Sequence, residues 1–496
     1  MWVDGAPRVA CVTPARRMDG RSVTTLDGLP PADRHAWADA LVATGGSQCG
    51  FCTPGIVMRL AALAGADGPG GPSGRAAVDQ ALLAHLCRCT GWQTIVEVAD
   101  RVLGPADGTD PAPTVTARDL DAAAVRAALE GGVAQRVGPD VVLGDAGFAD
   151  DTGPADALVA VVAGDDYAVA ESLPEARALA GKVQGRSTTV PLTHPVAVPD
   201  GEWAVTLATT WVEPAYLEPD ASWCVPGGAP ASPYGNGGSF GGKLRSPVAE
   251  DARRLADAHG RAVRVLWSRE DVVRRGPKRP PVGAGVRADG TGVLRVGVSG
   301  DAFDAVTWEA LVADVSAVAP GMVLEQVAVT GPHTAPELRA AVWAEAAVLV
   351  AVARLGRPGE PVHDVPVEVV APSGGRAVAR CRPDGSVDVE VTAGEVVDAV
   401  VLRSYVVGAV HQALGWVSAE GIAVSADGEV QDLTVRSFGI LQARAVPPVT
   451  VRIVDDPGRP AVNGSDAAFA AVAAARWLSD GLPPSWPTDR AGAGRR

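Results

Sequence analysis

Apolar positions recur at helical spacing through the first hundred residues. "PPADRHAWADALVATGG" opens on prolines and continues with that spacing, and "GIVMRLAALAG" resumes it after a break, so residues 31–64 are predicted helical. A Gly/Pro loop, "GADGPGGPSG" (65–74), leads to a second amphipathic stretch, "RAAVDQALLAHL" (75–86), and "QTIVEVADRVL" (93–103) adds another helix. "GPADGTDPAPTV" (104–115) breaks the pattern with Pro, Gly and Asp and reads as a linker. Beyond it the chain turns to short β-rich runs: "PDVVLGD", "ALVAVVAG", "WAVTLATTWV", "RAVRVLWS", "VLRVGVSG", "VPVEVVAP", "VDVEVTAG" and "VTVRIVDD". Helical stretches intervene, among them "SPVAEDARRLADAHG", "TAPELRAAVWAEAAVLVAVARLG" and "DAAFAAVAAARWLSDG". The mixture predicts an α+β body in two parts that meet near residue 200, with no regular internal repeat.

Composition narrows the class. A chain of 496 residues, 47% hydrophobic and 20% charged, has material for two to four globular domains and is not disordered. A net charge of -15 argues against a nucleic-acid partner, which calls for a basic face. The first residues lack the basic-then-apolar pattern of a signal peptide. No apolar run reaches bilayer length, so a cytoplasmic protein with no membrane partner is expected. In that compartment closely paired cysteines point to metal or redox chemistry before disulfides.

Four of the seven cysteines form two such pairs. Cys49 and Cys52 are spaced C-x2-C, Cys87 and Cys89 C-x-C, and both pairs fall at helix ends within one small helical unit. Four thiolates hold either an iron–sulfur cluster or a structural zinc. Zinc ribbons place two C-x2-C knuckles on hairpins, whereas these surroundings are helical and the second pair is tighter. Cys224 and Cys381 have no cysteine nearby and read as buried structural thiols. The seven histidines show neither H-x-H nor HExxH spacing, and neither a P-loop nor a GxGxxG after a strand is present.

"QCGFCTPGIVM" followed by "LCRCTGWQTIVEVA" resembles the helical 2Fe–2S domain of the xanthine dehydrogenase/aldehyde oxidoreductase family of molybdenum hydroxylases. The resemblance implies one 2Fe–2S cluster ligated by Cys49, Cys52, Cys87 and Cys89, two thiolates to each iron. "VDGAPRVACVTPARRMDGRSVTTLDGL" (3–29) resembles the tail of the family's plant-type ferredoxin domain and makes Cys11 the equivalent of a fourth ligand. The first three ligands of that second cluster are not in this sequence, so it is not expected to form.

The resemblance continues, in patches, into the C-terminal part. "NGGSFGGKLRSPVAED", with "RAVRVLWSRED" and "KRPPVGAGVRADGTG" after it, resembles the family's molybdenum-cofactor domain, whose glycine turn with a central phenylalanine lies beside the metal. This implies cofactor contacts for Gly238, Phe240 and Gly241, within a turn that also holds Gly237, Gly242 and Lys243. "VLRSYVVGAVHQALGWVSAEG" resembles the family's cofactor-contacting helix, implying pterin or metal proximity for Ala409, Gln412 and Gly415. Read on its pattern alone, that stretch is equally an amphipathic helix with His411 on its surface. "LEP" (217–219) resembles a segment near the family's substrate funnel.

Departures from the family pattern set limits. Ser465 stands where the family's catalytic glutamate is expected, in "RPAVNGSDAAFAAVAAARW". Serine is too weak a base for that role, and Asp466, shorter and displaced by one residue, is the alternative. The family's glutamine-bearing stretch is collapsed into "CVPGGAPASPYGN", the arginine- and glycine-rich loop expected around 300–345 is not recognisable, and Leu244 replaces the carboxylate of purine-oxidising members. These departures weigh against a bound molybdenum–pterin cofactor.

The expected architecture is therefore α+β: a small all-α, four-helix 2Fe–2S-binding domain followed by mixed α+β molybdopterin-binding-like domains. Residues 1–30 are a ferredoxin-domain remnant, 31–104 the helical domain and 105–115 the linker. Residues 116–200 form a shortened small α/β domain and 201–496 a reduced molybdenum-cofactor-binding-like domain. The implied function is oxidative hydroxylation of an aldehyde or N-heterocycle, with electrons leaving through the cluster. The linker has no room for an FAD domain, so a separate FAD-binding subunit or another electron acceptor is implied, and a homodimer is compatible. The alternative is a non-catalytic, cluster-bearing electron relay or structural subunit that binds no molybdenum.

Overall fold

The computed structural model describes residues 1–64, 74–104, 118–181, 190–300, 302–431 and 433–489. The expected linker 105–115 and nearly all of the loop 65–74 lie outside the described residues.

A three-stranded antiparallel sheet of Trp2–Val3, Ala6–Pro7 and Val23–Thr24 leads the chain. The Trp2 indole ties it to the helical unit by donating to the Met58 carbonyl at 2.7 Å. The helical unit comprises Pro31–Thr44, Thr53–Ala64, Arg75–Leu82 and Gln93–Leu103. Trp37, Leu41, Ile56, Leu60, Leu82, Ile95 and Val98 fill its core, the apolar positions that the helical spacing selects. The third helix ends at Leu82, short of the predicted 86, as the chain turns to deliver Cys87 and Cys89 beneath the body.

Three sheets build the body, and it is α+β as expected. The first runs Asp166–Ala170, Leu158–Ala163, Val263–Leu266, Ala221–Cys224, with the helix Val248–His259 against it. Because Leu158–Ala163 pairs in parallel with Val263–Leu266, residue 200 is not a boundary between sheets. A five-stranded sheet orders Met322–Ala328, Gly292–Val298, Val282–Val286, Val205–Thr209 and Ser485–Trp486. The last, four-stranded, orders Val367–Val370, Arg376–Cys381, Val387–Thr392 and Val449–Val454.

Two helices run through the centre of the body. Ser465–Ser479 is alanine-rich and buried on nearly every side, its small side chains admitting the helices Ala399–Ser418 and Trp343–Leu355 and the strand Arg376–Cys381.

Some local expectations change. "PDVVLGD" forms not a strand but a single helical turn, Pro139–Val142, with proline at its first position and the Gly138 and Gly144 breaks on either side. The predicted helix from Thr334 starts only at Trp343, since Ala340 and Val342 hold positive φ of 53° and 73°. The helix Ala305–Val318 and its following strand Met322–Ala328 occupy the region where a family loop was sought.

Candidate metal centre

Cys49 and Cys52 lie just before the helix Thr53–Ala64, and Cys87 and Cys89 just before Gln93–Leu103. The Cys89 and Cys49 sulfurs stand 3.6 Å apart. The thiols share protons in two couples: in the buried site Cys52 donates to Cys87 and Cys89 to Cys49, which raises both donors well above the usual thiol range. Cys87 is pulled down to about 6, first by the Cys52 hydrogen bond and then by Thr90, whose hydroxyl lies 3.1 Å from the sulfur. All four are free of disulfides. Two adjoining sulfur couples suit two irons, each with two thiolates. Among the described residues no set of three or more His, Cys, Asp or Glu closes on a single ion, which a two-iron centre does not require.

This site is sealed into the body. Gln48, next to Cys49, donates to the Cys89 carbonyl (3.1 Å) and to Ser404 Oγ (2.9 Å) on the long helix Ala399–Ser418. Ser404 donates in turn to the Gly45 carbonyl at 2.6 Å. Gln412 Nε2 donates to the Arg88 carbonyl at 3.2 Å, Asn236 to the Gln48 carbonyl at 3.0 Å and the Trp92 indole to the Leu441 carbonyl at 3.1 Å. Gln93 meets both backbone groups of Val449 at 2.8 Å.

A cleft of roughly 600 Å³ up to its mouth separates the cysteine segments from the glycine turn, with Cys49, Cys89, Gln135, Gly238, Phe240 and Tyr405 on its walls. Gly238 and Phe240 therefore line the same cleft as Cys49 and Cys89. The other candidates are engaged elsewhere. A side chain at Gly241 would lie 2.1 Å from the Glu337 carbonyl, so this glycine serves the packing of its turn on 337–338. Lys243 is buried against Glu218 and donates to the Pro233 carbonyl at 2.9 Å; burial pushes the Glu218 carboxyl up to about 7 against the pull of Lys243. Ala409 is fully buried in the hydrophobic core.

Ser465 and Asp466 come together with a residue that sequence reasoning missed. Arg339 donates to Asp466 Oδ1 (2.8 Å), to Gln412 Oε1 (3.2 Å) and to the Ser465 hydroxyl, and lies over the Phe240 ring at 5.5 Å. Behind it, the N-terminus of the helix Ser465–Ser479 is capped by Glu130, which accepts from Gly464 N (3.1 Å) and Ser465 N (2.9 Å) while paired with buried Arg126.

Residues 25–100 match the 2Fe-2S binding domain family. Over 97 residues the chain is 43% identical to the xanthine dehydrogenase of Emericella nidulans, covering 19% of this chain and 7% of that protein. Over 106 residues it is 38% identical to a probable xanthine dehydrogenase subunit of Bacillus subtilis, covering 21% of this chain and 60% of that one. The aldehyde oxidoreductase from Desulfovibrio gigas superposes with a TM-score of 0.69 at 13% identity, over 99% of this chain and 94% of that one. That of Desulfovibrio desulfuricans gives 0.70 at 12% identity, with the same coverage. The matched stretch is thus a 2Fe-2S binding domain similar to that of xanthine dehydrogenases, and the chain as a whole has the fold of the aldehyde oxidoreductases. The chain spans less than two thirds of the length of these sequence relatives, and the likeness over the whole chain is one of fold.

Against the reading of His411 as a surface residue, the fold buries it completely. Its Nε2 lies 3.0 Å from the Leu441 carbonyl, and Nδ1 has no hydrogen-bond partner among the described residues. Burial first, and the Arg88 charge second, push its pKa down to about 4. An unfolded histidine titrates near 6.5, so between these values the unfolded chain binds a proton that the native chain refuses. Stability is thus fully present above pH ~6.5 and falls on acidification toward pH ~4, by roughly 3 kcal/mol from this group. Denaturant titrations at several pH values should show that limb flattened, though not abolished, in His411→Gln, since burial also lowers His85 to about 4.

Proposed function

We propose that this chain is an iron–sulfur electron carrier of the xanthine dehydrogenase/aldehyde oxidoreductase type, whose body has closed the pocket behind the cluster with its own side chains. The observation that carries this reading is the Arg339 knot: Asp466, Ser465 and Gln412 are all held by one guanidinium. A general base must be free to take a proton, and an ion-paired aspartate is a poor one.

The four cysteines suit a 2Fe–2S cluster, which when bound takes up and releases single electrons. Gln48 and Gln412 anchor the Cys89 and Arg88 carbonyls, fixing the second half of the C-x-C segment, and the surrounding body excludes water from Cys87. A molybdenum–pterin group fits these residues poorly. Gly241 has backbone where a cradle would be, Gln412 is bonded at both ends of its amide, and Glu130 holds the helix N-terminus that would attract an anion. The electron acceptor in this proposal is a separate flavin-bearing protein or another redox partner, in keeping with a relative whose name marks it as one component of a larger enzyme.

A second reading, oxidative hydroxylation of an aldehyde or N-heterocycle, is favoured by Phe240 and Gly238 facing the cysteines and by the aldehyde oxidoreductase fold. Metal and pterin analysis of anaerobically purified protein separates the two. Iron with acid-labile sulfide and no molybdenum is expected. Stoichiometric molybdenum with a fluorescent pterin would establish the second reading, and zinc in place of iron would remove both.

A further inference from the structure

Arg88 lies between two cluster thiols, yet its side chain turns away from them into the body. Its guanidinium is paired through both terminal nitrogens with Glu420, the Nη2 to Oε2 bond measuring 2.8 Å, and Nε donates to the Pro214 carbonyl at 2.9 Å. The side chains are 5% and 2% exposed. Glu420 follows the end of the long helix, its N–H bound to the Gly415 carbonyl at 2.8 Å. Both residues line a small cavity whose walls also include Glu213, Arg279 and Arg339. Each of these three has its own partner in Arg269, Glu345 and Asp466 respectively.

Such a pair is a weak source of stability, because removing two charges from water offsets most of their mutual attraction. Its location suggests another use. In a poorly screened interior, a fixed charge one residue from two iron ligands acts directly on the energy of an added electron. A bare guanidinium would stabilise the reduced, more negative cluster; a carboxylate on that guanidinium cancels the effect.

We propose that Glu420 sets the reduction potential of the cluster at Cys49, Cys52, Cys87 and Cys89, holding it low by neutralising Arg88. The inference rests on the cluster reading above. It makes Glu420 a positioning residue that links the wall of the inner cavity to the cluster's electron affinity.

Anaerobic redox titration, followed by EPR and visible absorbance with iron content measured alongside, tests it. Glu420→Gln and Glu420→Met both remove the charge. Each is expected to raise the reduced-to-oxidised ratio at the parent midpoint about tenfold, or about 59 mV for a one-electron couple. Glu420→Asp keeps the charge and should titrate with the parent. Full iron with an unchanged or lowered potential in Gln and Met overturns the proposal. So does a shift of the same size in Asp, which would assign the effect to geometry. Loss of iron from both charge-removing variants also counts against it, by assigning the pair to holding the unit together. A colourless, iron-free parent is a separate result that removes the cluster reading itself.

Discussion

Cys87→Ser is expected to emerge from anaerobic purification without its visible absorbance, its iron falling from about two per chain to a small residue. Cys87 is the most demanding of the four positions. It is 1% exposed, so no water can enter to complete an iron's coordination, and its thiol is already lowered to about 6 because Cys52 and Thr90 donate to it. A serine hydroxyl in the same place stays protonated and ligates iron weakly. Apparent stability should fall with the iron, since a bound metal centre favours the folded state. Cys224→Ser is the control. That thiol is buried and donates to the Val225 and Gly228 carbonyls at 3.2 and 3.4 Å, and its loss should leave iron content unchanged. Iron retained in Cys87→Ser, or lost in Cys224→Ser, would contradict the ligand assignment.

Gly408→Ala should be among the most damaging single-methyl additions in the chain. The long helix crosses the C-x-C segment so closely that a Cβ at Gly408 would stand 1.9 Å from the Cys89 carbonyl oxygen. The contact is reciprocated: a Cβ at Gly91 would meet the Val407 carbonyl at 2.4 Å, and Gly91 holds a φ of +64° that L-residues rarely adopt. Backbone faces backbone in both cases, so no side chain can swing aside. The unit must separate from the body, at a cost of about 3 kcal/mol or more. A lower denaturation midpoint and easier proteolysis near residue 104 should report this in Gly408→Ala. Gly55→Ala, within the helix Thr53–Ala64 where a Cβ meets only the His85 ring at 3.7 Å, should be far milder.

The cysteine pairs were legible because their chemistry is local: spacing and flanking helices bring the sulfurs together with little help from the rest of the chain. The helix Gln93–Leu103 was legible to the residue for a similar reason, with its apolar face regular and Gly104 closing it. What the pattern could not reveal lies in contacts between distant segments. Arg339 is one arginine in an irregular stretch, and only folding brings it onto Asp466, 127 positions away. Glu420 and Arg88 are separated by 332 positions. His411 looked like a surface residue because its helix is buried on every face, which removes the polar stripe by which a buried side would be recognised. "PDVVLGD" was misread because a short apolar run fits a strand or a helical turn equally well.

The clamp of Gln93 on Val449 spans 356 positions, and Gln48 reaches Ser404 across an equal distance. A ribosome releases the thiols long before it makes the segments that enclose them. The enclosure of the thiols is therefore completed only when the segments holding Ser404 and Val449 have been made and have docked.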